Sequence, residues 1–356
     1  MGHVQPLIIN QIDFLPFKLP FQKPFTIAGK NVSERHGFYL ILKTSNGLTA
    51  ESEASPLEDV SQETVRRTKH DLSESCSYLM EFQIPSQRDE IFDKLRHDPH
   101  ILNLCASVRF AIESAILILA AKAAKQSLVE FLGGELKDVQ TSALLQGNHQ
   151  EVITDFKKFS SQGYKVFKLK VGDRNIALDV KKIQDIRVLL EAESYLRLDA
   201  NRKWDFKEAS IFAQLAGIQK IDFIEEPIND VTRLDAFYQQ NRMRVALDET
   251  LTVVRSGIKA PGRCSPPIAS HEGIVAYVLK PMIIGLMPTL DWIEEARLTH
   301  RKAIISSTFE SPVGFKILAN LACFSKQISG LGTERWFKNP KMIVGDNGII
   351  KKESLI

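Results

Sequence analysis

The sequence predicts an α/β protein in which a small α+β domain precedes a closed barrel of parallel strands. From residue 141 onward, short apolar runs alternate with longer segments of helical apolar spacing, which is the pattern of a parallel sheet. Several of these runs end in a charged residue, and successive charges lie roughly 25 to 30 residues apart, the length of one strand-and-helix unit in an eightfold barrel. The chain has 356 residues, more than a single hydrophobic core ordinarily serves, which leaves room for a second domain.

Residues 1–104 are predicted to form the α+β domain. The strand-like apolar runs are 8–9, 14–19 and 38–42. A Ser-Asn-Gly sequence at 45–47 supplies a hairpin turn after the last of them, whereas the polar segment 23–37 is predicted to be a loop. Two helices follow, one beginning at 61–64 and one over 89–97.

Residues 105–335 are predicted to form the barrel. A long apolar helix over 107–131 comes first. The predicted strands are 141–145, 166–170, 196–199, 223–225, 245–247, 275–280, 303–307 and 331–333. The predicted helices between them are 149–162, 175–191, 206–215, 231–241, 290–300 and 315–324. A loop rich in proline and glycine is predicted at 260–267, and the tail over about 336–356 is predicted to return to the first domain.

The composition argues against several classes of protein. Apolar residues make up 44% and charged residues 25% of the chain, the proportions of an ordinary globular protein. The net charge of +3 comes from basic residues spread along the chain, so a nucleic-acid partner is not expected. No apolar run reaches the roughly 20 residues that cross a bilayer, so no membrane partner is expected. The N-terminal residues lack the basic start and apolar core of a signal peptide, which makes the cytoplasm the expected location.

Six charged residues stand at the ends of predicted strands. They are Lys168 and Lys170, then Asp199, Glu225 and Asp248, and finally Lys280. Because the carboxyl ends of barrel strands share one mouth, the three carboxylates are expected to meet around a counter-cation. Hard oxygen ligands favour Mg²⁺, with Mn²⁺ as its substitute, and neither histidine nor cysteine follows these strands to favour zinc.

The positions of the lysines predict proton abstraction. They flank the carboxylates in chain order, and a divalent cation beside an ammonium group lowers the pKa of that group toward neutrality. A small anionic substrate that binds the metal through its carboxylate would place its α-carbon beside such a lysine, and the metal would stabilise the enediolate that forms. The alternative is a ring of salt bridges at the rim of a barrel.

Five short motifs resemble those of the enolase superfamily, in its muconate-lactonizing subgroup. They are Lys-Leu-Lys-Val-Gly at 168–172, Leu-Asp-Ala-Asn at 198–201, Ile-Glu-Glu-Pro at 224–227, Leu-Asp-Glu-Thr at 247–250 and Leu-Lys-Pro at 279–281. The resemblance covers nearly the whole chain. It implies a (β/α)7β barrel with an N-terminal α+β capping domain, and Asp199, Glu225 and Asp248 as the Mg²⁺ ligands.

Four further segments resemble the proteobacterial o-succinylbenzoate synthases within that superfamily. They are 54–64, 107–110, 196–202 and 305–311. This resemblance implies a hydro-lyase of menaquinone biosynthesis that converts SHCHC, a succinylated hydroxycyclohexadiene carboxylate, to o-succinylbenzoate by syn-dehydration. Lys170 is then the base that removes the α-proton and returns it to the departing hydroxyl. Lys280 stabilises the enolate from the opposite face, and Lys168 lowers the pKa of Lys170.

Five residues are predicted to contact the substrate. Ser306 and Ser307 end the seventh predicted strand and are expected to hydrogen-bond a carboxylate of the substrate. Arg35 matches an arginine that closes over the pocket in the resembling proteins. Asn201 and Arg197 flank the first carboxylate ligand, and strand alternation places Arg197 on the same face, where it would support that carboxylate.

Two alternative functions remain open on the same residues. The same fold and lysines serve racemisation or epimerisation, with N-succinylamino acids or dipeptides as substrates, and that chemistry requires both Lys170 and Lys280 as acid and base. The other alternative is a non-catalytic barrel with a binding role. The presence of all the charges together disfavours it.

Overall fold

An antiparallel sheet of four strands, in the order β3-β2-β1-β4, occupies the N-terminal part of the protein. The computed structural model describes residues 7–27, 30–58, 60–253, 271–340 and 343–356. The strands of this sheet are β1 (Leu7–Ile27), β2 (Lys30–Thr44), β3 (Thr49–Ala54) and β4 (Gln83–Ile84). The turn at 45–47 joins β2 to β3, which confirms the predicted hairpin.

The pairing of β1 with β2 reaches Ile27 and Lys30, so the loop prediction over 23–37 is wrong for the part of this segment that the structure describes. Leu19 pairs with Arg35 and Phe25 pairs with Val32, with one irregularity between these two pairs. Lys23, Asn31 and Ser33 in this ribbon are exposed. A two-stranded ribbon is held by backbone hydrogen bonds, so it forms here without the apolar runs from which strands are predicted.

Three helices belong to the N-terminal part of the protein, and the first of them packs on β1 and β2. They are α1 (Val65–Leu79), α2 (Arg88–His97) and α3 (Pro99–Leu102). The predictions of α1 and α2 are confirmed. The side chain of Thr64 accepts a hydrogen bond from the amide of Arg67 and so caps α1, and α2 has acidic residues in its first turn and basic residues in its last, as its dipole favours.

The helix predicted over 107–131 is divided in the structure. Its two parts are α4 (Ala106–Ala123) and α5 (Leu128–Phe131). Lys125 has a left-handed φ of 56°, which ends the first helix, and Ser127 forms a capping box with Glu130 that starts the second. The apolar pattern continues across the break because both helices are largely buried, so periodicity alone does not reveal the division.

The rest of the chain forms a seven-stranded parallel sheet, in the spatial order β6 to β12, whose strands alternate with helices. After β5 (Val139–Gln140), its strands are β6 (Ala143–Leu145), β7 (Val166–Lys170), β8 (Tyr195–Asp199), β9 (Ile221–Glu225), β10 (Val245–Leu247), β11 (Ile274–Leu279) and β12 (Lys302–Ile305). The helices are α6 (His149–Ser161), α7 (Ile176–Leu189), α8 (Phe206–Ala216), α9 (Leu234–Asn241), α10 (Glu249–Val253), α11 (Pro281–Ile284), α12 (Leu286–Leu298) and α13 (Pro312–Ser325). The predicted loop at 260–267 lies outside the described residues.

The barrel is closed by isolated bridges and not by the strand predicted at 331–333. Ser329 pairs with Thr141, and Gly330 pairs with Ser306, so one short extended segment joins the first edge of the sheet to its last. The strand prediction is wrong because it followed the apolar residue at 331, whereas the serine and glycine before it make the pairing. The (β/α)7β fold class itself is confirmed.

A small apolar cluster fills the inside of the barrel. Its buried members are Phe223, Ala246, Ala276, Val278 and Ile304. The larger core lies between the strands and their surrounding helices and continues under the antiparallel sheet. The interior is therefore packed, as in other barrels of this type, and functional side chains are placed at its ends.

The C-terminal tail contacts the antiparallel sheet and β5, the short strand that precedes the parallel sheet. Phe337 forms a bridge with Phe21, and the amide of Lys338 donates a hydrogen bond to the carbonyl of Pro20 at 2.8 Å. Farther along, β13 (Ile349–Ile350) pairs with β5. The division of the chain into a capping domain and a barrel domain at residue 104 stays a prediction. Within the described ranges no helix is long and apolar enough to cross a bilayer, and the cytoplasmic location also stays a prediction.

Candidate active site

The six predicted charged residues lie at the carboxyl ends of the barrel strands. Lys168 and Lys170 are on β7, Asp199 and Glu225 end β8 and β9, and Asp248 and Lys280 directly follow β10 and β11. The register of the sheet pairs Lys170 with Asp199 and Asp199 with Glu225. Neighbouring strands therefore deliver these side chains at the same level of the barrel.

The three carboxylates are buried and paired with ammonium groups. Asp199, Glu225 and Asp248 are each 2% exposed, and charges in such surroundings require partners of opposite sign. Lys168 Nζ lies 2.6 Å from Glu225 Oε2 and 2.9 Å from Asp199 Oδ2. One lysine thus connects the first two carboxylates.

The other two lysines contact one carboxylate each. Lys170 Nζ lies 2.6 Å from Asp199 Oδ2, and Lys280 Nζ lies 2.5 Å from Asp248 Oδ2. Strands β8, β9 and β10 lie between the strands that carry these lysines. The two ammonium groups therefore approach the mouth from opposite sides of the carboxylates.

Carboxylates keep two of the lysines charged. Burial opposes the charge of Lys168, but the three surrounding carboxylates outweigh it and raise the pKa of this lysine. Burial likewise opposes the charge of Lys280, and Asp248 and Glu249 more than compensate, so its pKa is raised as well. The lowered pKa in the sequence argument is that of a lysine beside a divalent cation, and it stays a prediction.

The carboxylates differ in how easily they ionise. Burial raises the pKa of Glu225, and the negative charges of Asp199 and Asp248 act in the same direction. Burial also opposes the charge of Asp199, but Lys168 and Lys170 hold the pKa of its carboxyl below the usual range. Close packing of three acidic groups therefore makes the site depend on cations around them.

The three carboxylates are the type of ligand that a hard divalent cation prefers. Their side-chain positions, however, do not form a metal site. The donor set consists of carboxylate oxygens from adjacent strands, the ligand type that Mg²⁺ prefers, and Asp199 and Glu225 already share the Lys168 ammonium. Among the residues that the structure describes, however, no three acidic, histidine or cysteine side chains are grouped closely enough to hold a metal. Asp248 turns to Lys280 instead. The predicted convergence of all three carboxylates on one point is therefore not met by these side-chain positions.

Asn201 connects Lys170 to a further carboxylate. Its Oδ1 accepts a hydrogen bond from Lys170 Nζ at 2.7 Å, and its Nδ2 donates to Glu249 Oε1 at 3.0 Å. Its backbone amide donates to Asp199 Oδ1 at 3.2 Å, and its φ of 45° is a left-handed conformation that asparagine tolerates. Asn201 is thus a partner of the lysine, and the substrate contact predicted for it stays a prediction.

Glu226 is a residue of the site that the sequence analysis missed. It is fully buried, and its Oε1 accepts hydrogen bonds from the amides of Asp248 at 2.9 Å and Thr250 at 2.8 Å. Its Oε2 accepts a hydrogen bond from Arg202 Nε at 2.8 Å. Glu226 thereby fixes the turn that carries Asp248. The available signal was the second glutamate of Ile-Glu-Glu-Pro, which follows Glu225 directly.

Arg197 lies inside the barrel, far from its predicted position beside Asp199. Its Nε donates to Asp222 Oδ2 at 3.3 Å and its Nη1 donates to the carbonyl of Ile328 at 2.6 Å. Lys302 Nζ donates to the other Asp222 oxygen at 2.6 Å. Asp222 and Lys302 stand near the starts of their strands, so this cluster lies toward the end opposite the mouth. The predicted contact is wrong because alternation gives the face of a strand but not the direction of a long side chain along it.

Arg35 is buried where β2 meets the barrel, with 3% of its surface exposed. Its Nε donates to the carbonyl of Phe309 at 3.2 Å, and its two terminal nitrogens donate to the carbonyls of Ser55 and Pro56. The prediction of an arginine that closes over the pocket is therefore corrected. Arg35 is on a strand, and its guanidinium joins the antiparallel sheet to a barrel loop.

The two predicted substrate-binding serines differ in their hydrogen bonds. Ser307 Oγ donates to Glu310 Oε2 at 2.7 Å and lies 2.5 Å from Thr333 Oγ1. The Ser306 hydroxyl makes no hydrogen bond to any described residue, and 8% of Ser306 is exposed. Ser306 therefore has a hydroxyl available for a ligand, whereas that of Ser307 is engaged.

Comparisons with known proteins agree with this arrangement of strands. The family model described as Enolase C-terminal domain-like matches residues 151–258. The o-succinylbenzoate synthase of Aliivibrio salmonicida is 28% identical over 329 residues, which cover 90% of this chain and 90% of that protein. The Arabidopsis thaliana protein PHYLLO, chloroplastic, is 28% identical over 374 residues, which cover 94% of this chain. This chain spans only 21% of that longer protein.

A solved structure shares the complete architecture. It is a dipeptide epimerase from Cytophaga hutchinsonii, complexed with Mg and the dipeptide D-Ala-L-Val. It superposes with a TM-score of 0.80 at 22% identity, over 97% of this chain and 93% of that chain. The likeness confirms the barrel and its N-terminal antiparallel sheet. The family match, the relatives along most of the sequence and the shared fold together make this chain similar to members of the enolase superfamily.

Proposed function

We propose that this chain is an o-succinylbenzoate synthase, a hydro-lyase that dehydrates SHCHC to o-succinylbenzoate in menaquinone biosynthesis. The observation that carries the proposal is the approach of Lys170 and Lys280 to a row of buried carboxylates from opposite sides. Relatives with this activity in their names support it, since they match this chain over most of its length. The substrate is then a small carboxylate anion, which suits a mouth lined with three lysines.

In this proposal Asp199, Glu225 and Asp248 would hold Mg²⁺. When bound, Mg²⁺ would attract the substrate carboxylate and stabilise the negative charge that develops on it during proton removal. The Mg in a solved structure of the same fold supports the choice of cation. The side chain of Lys168 is 15% exposed. Its positive charge would help to hold the substrate carboxylate.

Lys170 would carry the proton in both steps. Its neutral amine removes the α-proton, and the electron pair of the C–H bond moves toward the carboxylate. The C–O bond of the neighbouring hydroxyl then breaks, and the Lys170 ammonium gives its proton to the departing hydroxide, which leaves as water. One nitrogen serves both transfers, so the elimination is syn. Asn201 and Asp199 hold that nitrogen at 2.7 Å and 2.6 Å.

Lys280 would act from the opposite face as a cation. Burial lowers the pKa of Lys280, and the negative charges of Asp248 and Glu249 raise it overall. In its protonated form, the Lys280 ammonium group would stabilise a negatively charged intermediate. Dehydration requires only Lys170 as base, whereas racemisation requires both lysines as acid and base.

Replacing Lys280 with alanine is expected to lower kcat for SHCHC by roughly 10²-fold, because one group that stabilises developing charge is lost. Exchange of the α-proton of an N-succinylamino acid into D₂O, followed by NMR for each enantiomer, separates the two faces. The Lys280→Ala variant should lose exchange for one enantiomer and Lys170→Ala for the other. Intact exchange of both enantiomers by Lys280→Ala would refute the placement of Lys280 on its own face.

Replacing Asn201 with leucine is expected to lower kcat by roughly 10- to 100-fold with little change in KM. The Lys170 ammonium loses the Oδ1 acceptor and with it one of the two contacts that orient it. Steady-state kinetics with SHCHC give both constants, and Asn229→Leu, at an exposed asparagine, is the matched control. A rise in KM at unchanged kcat would instead assign Asn201 to the substrate.

The experiment that tests the function is a steady-state assay of SHCHC beside a panel of N-succinylamino acids and dipeptides, in the presence of Mg²⁺. We expect the highest kcat/KM for SHCHC. The second candidate is epimerisation of dipeptides, supported by the fold likeness to a dipeptide epimerase. Turnover of a dipeptide or N-succinylamino acid with no dehydration of SHCHC would establish that candidate and reject ours.

A further inference from the structure

A buried carboxylate from the antiparallel sheet caps a helix of the barrel. Glu53 lies in β3 and has no exposed surface. Its Oε2 accepts hydrogen bonds from the amides of Ser311 and Gly314, each at 3.0 Å, and from the Ser311 hydroxyl at 2.5 Å. Its Oε1 accepts a hydrogen bond from the hydroxyl of Ser55 at 2.5 Å. Glu53 thus satisfies the free amides at the start of α13, the helix after the last barrel strand.

The helix leaves space for this carboxylate. A Cβ added to Gly314 would lie 2.5 Å from Glu53 Oε2, closer than two unbonded heavy atoms approach. Gly314 is the third residue of α13, at a position where alanine ordinarily stabilises a helix by about 1 kcal/mol over glycine. The close approach of Glu53 accounts for glycine at this position.

The segment between β12 and α13 is held at several points. Phe309 has a left-handed φ of 64°, which for a phenylalanine requires support from its surroundings, and Arg35 Nε binds its carbonyl at 3.2 Å. Glu310 Oε2 accepts hydrogen bonds from Ser307 Oγ at 2.7 Å and from the amide of Thr308 at 2.8 Å. Arg35 and Glu53, two side chains of the antiparallel sheet, therefore hold this segment in place.

We propose that Glu53 is a positioning residue for substrate binding. By fixing residues 306–311 it places the hydroxyl of Ser306, which has no hydrogen-bond partner among the described residues, at the mouth of the barrel. Ser306 is the first residue after β12, and Glu53 holds the other end of the segment at Ser311. The inference rests on the proposed function only in its last step, the contact between Ser306 and a substrate carboxylate. The control of the segment by Glu53 is independent of which reaction the enzyme catalyses.

Replacing Glu53 with alanine is expected to raise KM for SHCHC about 10-fold while kcat stays within about 3-fold, since uniform binding is lost and proton transfer at Lys170 is not touched. Gly314→Ala disturbs the same contact from the other side and should raise KM similarly. Glu53→Gln keeps an oxygen that can face Ser311 and Gly314 and should retain nearly the original KM. Glu53→Asp is one methylene too short to reach them and should behave like Glu53→Ala.

The double variant Glu53→Ala with Gly314→Ala tests the contact itself. Without the carboxylate the new methyl group has space, so the effects of the two changes should not add. Hydrogen exchange of residues 306–314 gives a readout that needs no substrate. We expect faster exchange there in Glu53→Ala and Gly314→Ala, with α8 (Phe206–Ala216) exchanging as in the original protein.

Several outcomes would overturn the proposal. They are an unchanged KM in Glu53→Ala and Gly314→Ala, a loss confined to kcat, additive losses in the double variant, or unchanged exchange of residues 306–314. If Glu53→Ala does not fold, Gly314→Ala and Glu53→Gln decide the question. If the original protein does not dehydrate SHCHC, the proposed function fails, while the exchange measurement still decides whether Glu53 holds the segment.

Discussion

Lys170→Ala is expected to lose dehydration of SHCHC by roughly 10²- to 10⁴-fold, toward the upper end because Lys170 serves in turn as base and acid. The side chain is 37% exposed, so its removal creates no cavity in the core. The thermal midpoint of unfolding should therefore stay close to that of the original protein. Steady-state kinetics with SHCHC, together with thermal unfolding followed by circular dichroism, measure both quantities.

Lys170→Arg separates the role of proton transfer from that of charge. Arginine keeps the positive charge near Asp199 and Asn201, but it does not release its proton at neutral pH. We expect Lys170→Arg to be as inactive as Lys170→Ala, and Lys207→Ala, at an exposed position on α8, to be fully active. Turnover by Lys170→Arg near the original rate would remove Lys170 from the role of base.

Removal of divalent cations with EDTA is expected to lower the dehydration rate by at least roughly 10³-fold, because a bound cation supplies several kcal/mol of transition-state stabilisation. Addition of Mg²⁺ should restore the rate, and Mn²⁺ should substitute for it. The protein should remain folded in EDTA, since Lys168, Lys170 and Lys280 pair with the buried carboxylates. Full activity in metal-free buffer would contradict a metal site.

A binding measurement separates the metal site from the assay. Isothermal titration of the metal-free protein with Mg²⁺ should give one site, and Glu225→Gln should weaken it by at least about 10-fold because one of the three ligand charges is lost. Glu193→Gln, at an exposed glutamate, should bind as the original protein does. Equal affinity of Glu225→Gln and the original protein would exclude Glu225 as a ligand and leave the carboxylates as ion-pair partners of the lysines.

The strand–helix alternation of the barrel could be predicted because each strand buries a continuous apolar run and each helix repeats its apolar residues near period 3.6. The predictions failed where pairing does not depend on apolar side chains. The described part of the β1–β2 ribbon within 23–37 is held by backbone pairing and contains few apolar residues. The closing segment at Ser329 and Gly330 carries no large apolar side chain. The spacing of apolar residues therefore does not predict strand pairs of this kind.

The sequence by itself determined which charged residues stand at the mouth, because a polar residue that ends a buried strand of a parallel barrel has to face the carboxyl end. The positions of Lys170, Asp199 and Glu225 could be predicted from this rule alone. Only the tertiary structure decided which partner each side chain takes. It turned Arg197 toward Asp222 at the other end of the barrel and joined Glu53 to Ser311, 258 residues away in the chain. Such contacts depend on strand register, on side-chain direction and on how the antiparallel sheet packs against the barrel. None of these is a local property of the sequence.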